Sequence, residues 1–344
     1  MSVRDIITAL SQANGPSGAE GSAARLALEL LGDYAYVRQD KLGSVIAEFG
    51  DSDSEEHILL DAHIDEIGMI VTYVDDKGFL HVSNTGGADR RTLSAAEVIV
   101  LGDKRLSGVV CSTPPHLSGS TAGKKAQEWE NIYIDIGYGA EKARELVPPG
   151  TRIILRSKLQ KLFGERITGK ALDNRAGATA LIRTVELLGP LSDKLPCRVS
   201  VLLSVQEEVG GRGAQTAAFA TMPTQAVAVD VSFAQQPGVK KEQSGVMGKG
   251  PMIGISPILD RGIFDTLKSI ASEKGIACQT EVMGGSTGTN ADDIASAGSG
   301  VRCGLVSIPI RNMHTAVEVA DMDDIEATAQ LLAHFVGNGG AKRG

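Results

Sequence analysis

Hydrophobic residues near the N-terminus recur first at helical spacing and then at strand-like spacing. The apolar pattern predicts a helix over residues 3–13 and a second helix soon after it. Ser17 and Glu20 have the spacing of a capping box, which predicts the start of that second helix. Two short apolar runs follow at residues 44–49 and 57–62, and each predicts a strand.

The pattern changes between residues 69 and 162. Short apolar runs are separated there by Gly, Pro and Asp, and only Ala140–Leu146 resembles an amphipathic helix. Short strands with regular turn signals predict a small β-barrel or β-sandwich.

From residue 168 onward, helical and strand-like patterns alternate again. The predicted elements are helices over residues 175–188, 262–273 and 322–336, and strands over residues 197–205, 225–231 and 304–309. We therefore predict an α/β fold in two parts. Residues 1–67 plus 166–344 form one α/β domain, and residues 68–165 form a β domain inserted into it.

Composition and charge narrow the classes of function. The chain has 344 residues, which exceeds an ordinary domain of about 100–200 residues. Its 42% hydrophobic and 22% charged residues are typical of a soluble globular protein with a sizeable core. A formal net charge of −8 argues against binding to nucleic acid and against docking on anionic membranes.

The cysteines and the N-terminus indicate a reducing compartment. The 4 cysteines are far apart in the sequence and none forms a CxxC pair, so neither a disulfide framework nor a cysteine zinc site is expected. The N-terminus lacks the apolar core of a signal peptide. Since no apolar run reaches about 18 residues, we expect no membrane span and a cytoplasmic protein.

Five short segments carry side chains of the kind that bind metals, and most of them follow directly on an apolar run. The residues are His63 and Asp65, Asp173, Glu207 and Glu208, Asp230, and His314. An apolar run that ends in such a residue predicts a buried strand whose carboxyl end presents a functional group, where ligands bind in open α/β sheets. Histidines and carboxylates without Cys or Lys suit a divalent-metal site that is open to water.

Asp61, His63 and Asp65 are spaced two apart, so in extended backbone they share one face of a strand. A metal-bound histidine usually donates its second ring nitrogen to a carboxylate, and Asp65 is suited to that role. The alternative is a surface strand edge with mixed charges. The run HILLDAH is too apolar to favour that alternative.

Glu207 and Glu208 follow a predicted buried strand. Adjacent acids there are costly unless a cation lies beside them. A solvated loop is the alternative, but the glycine-dense residues 210–213 favour a chain that passes close to a site. Adjacent side chains point apart, so one acid can bind metal while the other transfers protons.

The remaining candidates are ambiguous when each is considered alone. Asp230 interrupts an apolar run and needs a partner or a cation. Asp173 precedes a predicted helix, where an ordinary N-cap is the favoured interpretation. His314 lies in a loop after a strand, and a lone histidine there is more often structural. The other histidines have no acidic pattern nearby and are expected to be structural: His57, His81, His116 and His334.

Residues 284–292 are rich in glycine, as phosphate-binding loops are. The stretch lacks the GK[ST] ending of a P-loop and does not fit GxGxxG. We interpret it as a loop that lines a substrate pocket, with phosphate binding as the weaker alternative.

Five motifs in one order carry a family resemblance. DAHIDEIG, GKALDNRAG, QEEVGGRGA, VAVDVS and MHTAVE resemble the cytosolic di-metal aminopeptidases of the glutamyl-aminopeptidase and tetrahedral-aminopeptidase type. The resemblance covers nearly the whole chain, including PPHL and YIDIG within residues 68–165. It implies a mixed-sheet α/β/α metallopeptidase domain with an inserted, barrel-like β domain that mediates dimerisation.

The resemblance also implies a metal centre with two divalent ions per subunit. His63, Asp173 and Asp230 would bind one ion, and Asp173, Glu208 and His314 would bind the other, with Asp173 bridging. Zinc is the expected ion, with cobalt and manganese as alternatives.

By the same resemblance, the enzyme releases N-terminal residues from short peptides with a free N-terminus. Glu207 would be the general base for a metal-bridging water, and Asp65 would orient His63. Dimers would assemble into a hollow homododecamer, with neither nucleic acid nor membrane as a partner. The sequence does not fix the preferred N-terminal residue.

Two other functions compete with this one. A cellulase-like glycoside hydrolase would use two carboxyl groups about 5–9.5 Å apart and no metal, which would leave the histidines unexplained. A catalytically inactive assembly protein of the same fold is the second alternative, and the intact set of ligand-type residues argues against it.

Overall fold

A computed structural model describes residues 1–112 and 126–342 of the chain. The helices are α1 (Val3–Gln12), α2 (Gly21–Leu31), α3 (Ala140–Leu146), α4 (Leu172–Leu188), α5 (Arg212–Thr221), α6 (Arg261–Lys274), α7 (Asn290–Ala295) and α8 (Met322–Gly337). The first nine strands are β1 (Tyr36–Gln39), β2 (Val45–Gly50), β3 (His57–His63), β4 (Gly68–Val74), β5 (Leu80–Thr85), β6 (Glu97–Leu101), β7 (Arg105–Val110), β8 (Tyr133–Asp135) and β9 (Arg152–Leu155). The others are β10 (Gln160–Lys161), β11 (Arg166–Gly169), β12 (Arg198–Ser204), β13 (Gln225–Phe233), β14 (Met252–Ile255), β15 (Gln279–Val282), β16 (Arg302–Ile310) and β17 (Glu318–Asp321). The PPHL motif with His116 lies outside the described residues.

An eight-stranded mixed sheet forms the centre of the α/β part, in the order β1-β2-β12-β3-β13-β16-β14-β15. Strands β12, β3, β13 and β16 run parallel, whereas β2 and β14 pair antiparallel with their neighbours. The parallel strands read as nearly continuous apolar runs because helices cover both faces of the sheet. The predicted mixed-sheet α/β/α architecture is confirmed.

Two layers of helices enclose this sheet. Helices α1, α2, α4, α6 and α8 pack their buried side chains into one hydrophobic core. Helices α5 and α7 form a smaller core on another part of the sheet surface. Helix α4 is buried over most of its circumference, because the sheet lies on one side and α8 on the other.

Strands β4 to β9 form a closed antiparallel barrel in the order β4-β5-β8-β7-β6-β9. The barrel has its own hydrophobic core, which includes Met69, Val98 and Ile153. Closure removes the unpaired strand edges from the described part of the barrel. The β-rich pattern thus corresponds to a barrel and not a sandwich. The bounds of the predicted inserted domain, residues 68–165, and its role in dimerisation stay predictions.

A small sheet of β10, β11 and β17 joins two distant segments of the chain. Gly169, just before α4, lies opposite Glu318 at the start of β17. This pairing brings the start of α4, which carries Asp173, next to the loop that carries His314.

The capping box predicted at Ser17 and Glu20 is wrong. Helix α2 begins at Gly21, and no side chain caps its N-terminus. The Ser17 hydroxyl instead donates to Asp65 Oδ2 at 2.6 Å, and Glu20 accepts from the Gly18 N–H. A buried carboxylate needs donors, and Ser17 is positioned to supply one.

The other predicted helices are present with small shifts at their ends. Helices α5 and α7 lack a clear amphipathic pattern in the sequence and were not predicted. Among the described residues, no helix is long and apolar enough to cross a membrane.

Candidate metal centre

The candidate centre lies at the carboxyl ends of adjacent parallel strands. Ser204 at the end of β12 is in register with His63 at the end of β3. On the other side of β3, Ala228 is in register with Asp61, so Asp230 is level with His63. The sheet therefore brings His63, Asp230 and the segment after β12 to one edge, as the strand pattern predicts.

Asp173 is not the helix cap that its position in the sequence favours. Ala171 is the N-cap of α4, no side chain caps the helix, and Asp173 and Asn174 have non-helical dihedral angles. Asn174 holds this bend in place, because its Nδ2 donates to the Val229 carbonyl at 2.8 Å and its Oδ1 accepts from the Gly177 N–H at 3.0 Å. The bend leaves the Asp173 carboxylate free to face the two histidines.

The two oxygens of Asp173 contact different histidines. Oδ1 lies 3.2 Å from His63 Nε2, and Oδ2 lies 3.1 Å from His314 Nε2. Asp230 Oδ1 lies 3.7 Å from His63 Nε2, and Glu208 Oε1 lies 3.8 Å from His314 Nε2. The ligand atoms of His63, Asp173 and Asp230 all lie within 4.8 Å of one another, and so do those of Asp173, Glu208 and His314. The two groups share Asp173.

The electrostatics of these residues fit divalent cations. Burial, followed by repulsion from Asp173, raises the pKa of Glu208 to about 8. Burial also raises the pKa of Asp230 well above its usual range. The hydrogen bond to Asp173 raises the pKa of His314 to about 9. Burial alone would lower the pKa of His63, but its bonds to carboxylates raise it well above the usual range. Carboxylates this crowded need a cation to stay ionised together, so the donor set fits metal ions.

Asp65 links the histidine to the pair of glutamates. His63 Nδ1 lies 3.4 Å from Asp65 Oδ1. The same carboxylate accepts the backbone N–H groups of Glu207 at 3.0 Å and Glu208 at 3.1 Å, and the Ser17 hydroxyl at 2.6 Å. Asp65 therefore fixes the ring of His63 and the backbone of both glutamates at once.

Both adjacent glutamates line one cavity, at different places. Glu208 faces His314, whereas Glu207 Oε2 lies 3.9 Å from His63 Nε2. Gln206 has a φ of 59°, and this left-handed residue turns the chain sharply after β12. Burial raises the pKa of Glu207 above its usual value.

Glu318 belongs to the centre, although no role is predicted for it from the sequence. Its buried carboxylate accepts the backbone N–H of Asp173 at 3.0 Å through Oε2 and that of His314 at 2.9 Å through Oε1. Glu318 therefore positions the main chain of two candidate ligands. The only signal for it in the sequence is the last letter of the MHTAVE motif.

Two buried cations lie behind the centre. Lys170 Nζ pairs with Glu66 Oε2 at 2.7 Å, and both side chains are almost fully buried. Arg175 is also buried and donates to the Leu10 carbonyl at 3.0 Å. Burial lowers the pKa of Arg175, while Glu66 and Asp65 oppose that shift. The positive charges of Lys170 and Arg175 favour the ionised form of the carboxylates in front of them.

Asp61 shares a strand with His63 but does not join the centre. Its Oδ2 accepts from Asn290 Nδ2 at 2.8 Å, in contact with α7. Burial raises the pKa of Asp61 to about 7.

The centre opens into a cavity of about 400 Å³. Its walls include Thr287, Gly288 and Thr289 from the glycine-rich stretch, as predicted for a pocket loop. The N–H groups of Thr287 and Gly288 already donate to Asp292, at 2.9 and 3.1 Å. Because these donors are used, phosphate binding is disfavoured there.

Comparison with known proteins finds relatives that are described as aminopeptidases or peptidases. A lysyl aminopeptidase of Pyrococcus furiosus is 33% identical over 333 residues, which cover 95% of this chain and 94% of that protein. The solved structure of an aminopeptidase from Desulfurococcus kamchatkensis is 32% identical, has a TM-score of 0.90, and is matched over 97% of this chain and 94% of its own. The solved structure of the TET1 peptidase of Pyrococcus horikoshii is 32% identical and has a TM-score of 0.86, with 97% of this chain and 99% of that chain matched. That peptidase is described as able to assemble into a tetrahedron or a large octahedral shell.

A more distant match bears on the glycosidase alternative. A Thermotoga maritima structure titled endoglucanase is 26% identical with a TM-score of 0.79, over 97% of each chain. The family comparison favours the peptidase. A sequence profile described as M42 glutamyl aminopeptidase matches residues 43–331. The predicted family and class of enzyme are therefore confirmed, and the chain belongs to the M42 glutamyl aminopeptidase family of metal-dependent peptide-bond hydrolases.

Proposed function

We propose that this protein is a di-metal aminopeptidase that releases N-terminal residues from short peptides in the 400 Å³ cavity. The observation that carries the proposal is the pair of ligand groups that share Asp173. His63, Asp173 and Asp230 hold one ion, and Asp173, Glu208 and His314 hold the other. Zinc is the ion we favour for both, with cobalt and manganese as alternatives.

Bound divalent ions would lower the pKa of a water molecule and polarise the scissile carbonyl. The chain itself supplies the proton transfer. Glu207 accepts a proton from the attacking water and passes it to the leaving amine. Asp65 keeps the His63 ring in orientation throughout.

The carboxylate oxygens of the cavity support removal of single residues from a free N-terminus. The walls carry the carboxylates of Asp173, Glu207, Glu208 and Asp230, and two divalent ions would balance their four negative charges. The free α-amine of a substrate can donate several hydrogen bonds to these oxygens, whereas an acylated N-terminus keeps only one N–H donor.

We propose that the assembly also limits the substrates. The P. horikoshii relative can assemble into a tetrahedron or a large octahedral shell. The closed barrel of this chain is the surface that we propose for a dimer contact. Dimers joined through the barrel would assemble into a dodecamer in the cytoplasm, so that only short, unfolded peptides reach the centres. Light scattering should then give a particle of twelve subunits.

Metal removal and Glu207→Gln test the proposed chemistry. Purified protein is stripped with a chelator, reloaded with zinc, cobalt or manganese, and assayed with aminoacyl p-nitroanilides and their N-acetylated forms. We expect activity only after reloading and only on free amines. Glu207→Gln should retain both metal equivalents by elemental analysis and lose turnover by about 100-fold or more, as expected for a general base. Glu29→Gln, at an exposed residue of α2, is the matched control.

Three outcomes would contradict the proposal in whole or in part. Peptidase activity that survives complete metal removal would exclude the di-metal mechanism. Loss of one metal equivalent in Glu207→Gln would show that the roles of Glu207 and Glu208 are exchanged. Release of reducing sugars from cellulose in the presence of chelator would instead support the glycoside hydrolase.

A further inference from the structure

A second cavity, of about 690 Å³, adjoins the metal centre. The two cavities share Ser232, Phe233 and Thr287 in their walls. A peptide whose first carbonyl lies at the centre can therefore direct its N-terminal side chain into the second cavity. The groups in that cavity then decide which side chains are accepted.

A carboxylate on strand β15 lies at the sheet side of the second cavity. Glu281 Oε1 accepts the Ser232 hydroxyl at 2.5 Å, and its Oε2 accepts the Ser307 hydroxyl at 2.7 Å. These two bonds fix the carboxylate against the sheet. An ionised carboxylate has about four acceptor sites, so each oxygen of Glu281 can accept a further bond.

The strand register places Glu281 at a defined distance from the centre. Ser307 on β16 is directly opposite the candidate ligand Asp230 on β13. Ser232 follows Asp230 by two residues on the same strand and so shares its face. Neighbouring strands lie about 4.8 Å apart and two residues span about 6.6 Å, so the Glu281 carboxylate lies roughly 7–10 Å from Asp230.

The neighbours of Glu281 on the side of the centre are small or flexible. Gly254, opposite Glu281 on β14, has no side chain, whereas Met252, opposite Ser307 on the same strand, lines the second cavity together with Met283. Glu281 still contacts Ser307 directly, at 2.7 Å. An extended lysine side chain places its ammonium about 6 Å from Cα, since five bonds of about 1.5 Å separate them. A hydrogen bond of about 2.8 Å extends this reach to roughly 9 Å, which falls within the separation of roughly 7–10 Å between Glu281 and Asp230.

The other charges that line the second cavity nearly cancel. Lys240 and Glu242 both line it, and both are exposed at its rim. Glu281 is more buried than either and has no basic partner among the described residues. A charge-assisted bond to a partly buried carboxylate is stronger than one to a group in open solvent.

We infer that the second cavity selects a cationic N-terminal residue, lysine or arginine, and that Glu281 is the specificity-determining residue. This inference rests on the proposed aminopeptidase function. A substrate ammonium or guanidinium would donate to the free acceptor sites of Glu281, while Ser232 and Ser307 hold the carboxylate in place.

Paired substrates test the inference on the native enzyme. Norleucine has the lysine side chain without its ammonium, so lysyl and norleucyl p-nitroanilide differ mainly in that charge. We expect the metal-loaded wild-type enzyme to favour the lysyl substrate in kcat/KM by about ten- to a hundredfold, as for a charged hydrogen bond. Glutamyl p-nitroanilide should be the poorest substrate of the panel, because two carboxylates would meet.

Glu281→Gln separates specificity from a general structural effect. This variant should reduce the preference for lysine over norleucine to within about threefold, while activity on norleucine stays near the wild-type value. Glu29→Gln, at an exposed residue of α2 outside both cavities, should leave the preference unchanged. A structural defect would instead lower both activities together.

The outcomes distinguish the inference from the function on which it rests. Equal rates on lysine and norleucine in the wild-type enzyme would overturn the inference even if Glu281→Gln failed to fold. Equal loss of both activities in a folded Glu281→Gln would overturn the role of Glu281. Hydrolysis of no aminoacyl substrate by metal-loaded protein would overturn the proposed function, and the inference with it.

Discussion

Substitution of Glu318 by glutamine tests how the protein holds its metal ligands in place. The Glu318 carboxylate accepts the main-chain N–H groups of Asp173 at 3.0 Å and His314 at 2.9 Å. Glu318 lines neither cavity itself and has no direct role in the proposed chemistry. We expect Glu318→Gln to weaken metal binding at the Asp173, Glu208 and His314 group in particular.

The expected loss of metal affinity follows from the two hydrogen bonds of Glu318 and from their burial. Glutamine keeps one acceptor oxygen but replaces the other with an NH₂ group, so one of the two N–H donors loses its acceptor. Glu318 is 1% exposed, so solvent cannot replace that acceptor. The loss of a buried bond to a charged group costs about 1.5–3 kcal/mol. Outer-shell changes of this kind lower metal affinity by about 10–100-fold.

Competitive titration against a chelator of known affinity measures the effect. Two binding steps should be resolved in the wild-type protein, and only the step assigned to Asp173, Glu208 and His314 should weaken strongly in Glu318→Gln. Glu326→Gln, on the half-exposed surface of α8, is the control for loss of a carboxylate without a ligand contact. Two unchanged binding steps in a folded Glu318→Gln protein would refute the positioning role.

Two further predictions concern the shared ligand and the dependence on pH. Asp173→Asn should lower the metal content at both sites by elemental analysis, whereas Glu208→Gln should lower it by one equivalent; equal losses in the two variants would contradict a bridging Asp173. In the folded, metal-free protein, the pKa of His314 is raised to about 9 and the pKa of Glu208 is raised to about 8. The folded state therefore binds more protons than the unfolded state, and stability falls as the pH rises between about 4.5 and 9. Thermal unfolding should show a falling Tm in metal-free protein over this range and a flatter profile after zinc is added; a Tm that rises with pH would refute the argument.

The sequence by itself determined the framework of the protein. Continuous apolar runs predict the buried parallel strands β3, β12, β13 and β16, because such strands are covered on both faces. A ligand-type residue at or after the end of each run predicts where function lies in the sheet. The five ordered motifs were enough to indicate the family.

Helices α5 and α7 are not predicted from the sequence, and the physical reason is the same for both: their apolar periodicity is weak. Helix α5, with the sequence RGAQTAAFAT, is made mostly of small residues and has little hydrophobic contrast between its faces. Helix α7 spans only Asn290–Ala295, less than two helical turns. Periodicity needs a longer or more strongly patterned segment to be visible.

Only the tertiary structure decided which residues meet. The local sequence predicts that Asp173 is a helix cap and that Ser17 is part of a capping box. In the fold, Asp173 faces two histidines from distant segments, and Ser17 donates to Asp65. Glu318 and Glu281 acquire their contacts through strand pairing, which brings together residues with no relation along the chain. Local patterns encode burial and backbone form, whereas contacts between side chains depend on register and on the sheet order, and these exist only in the folded protein.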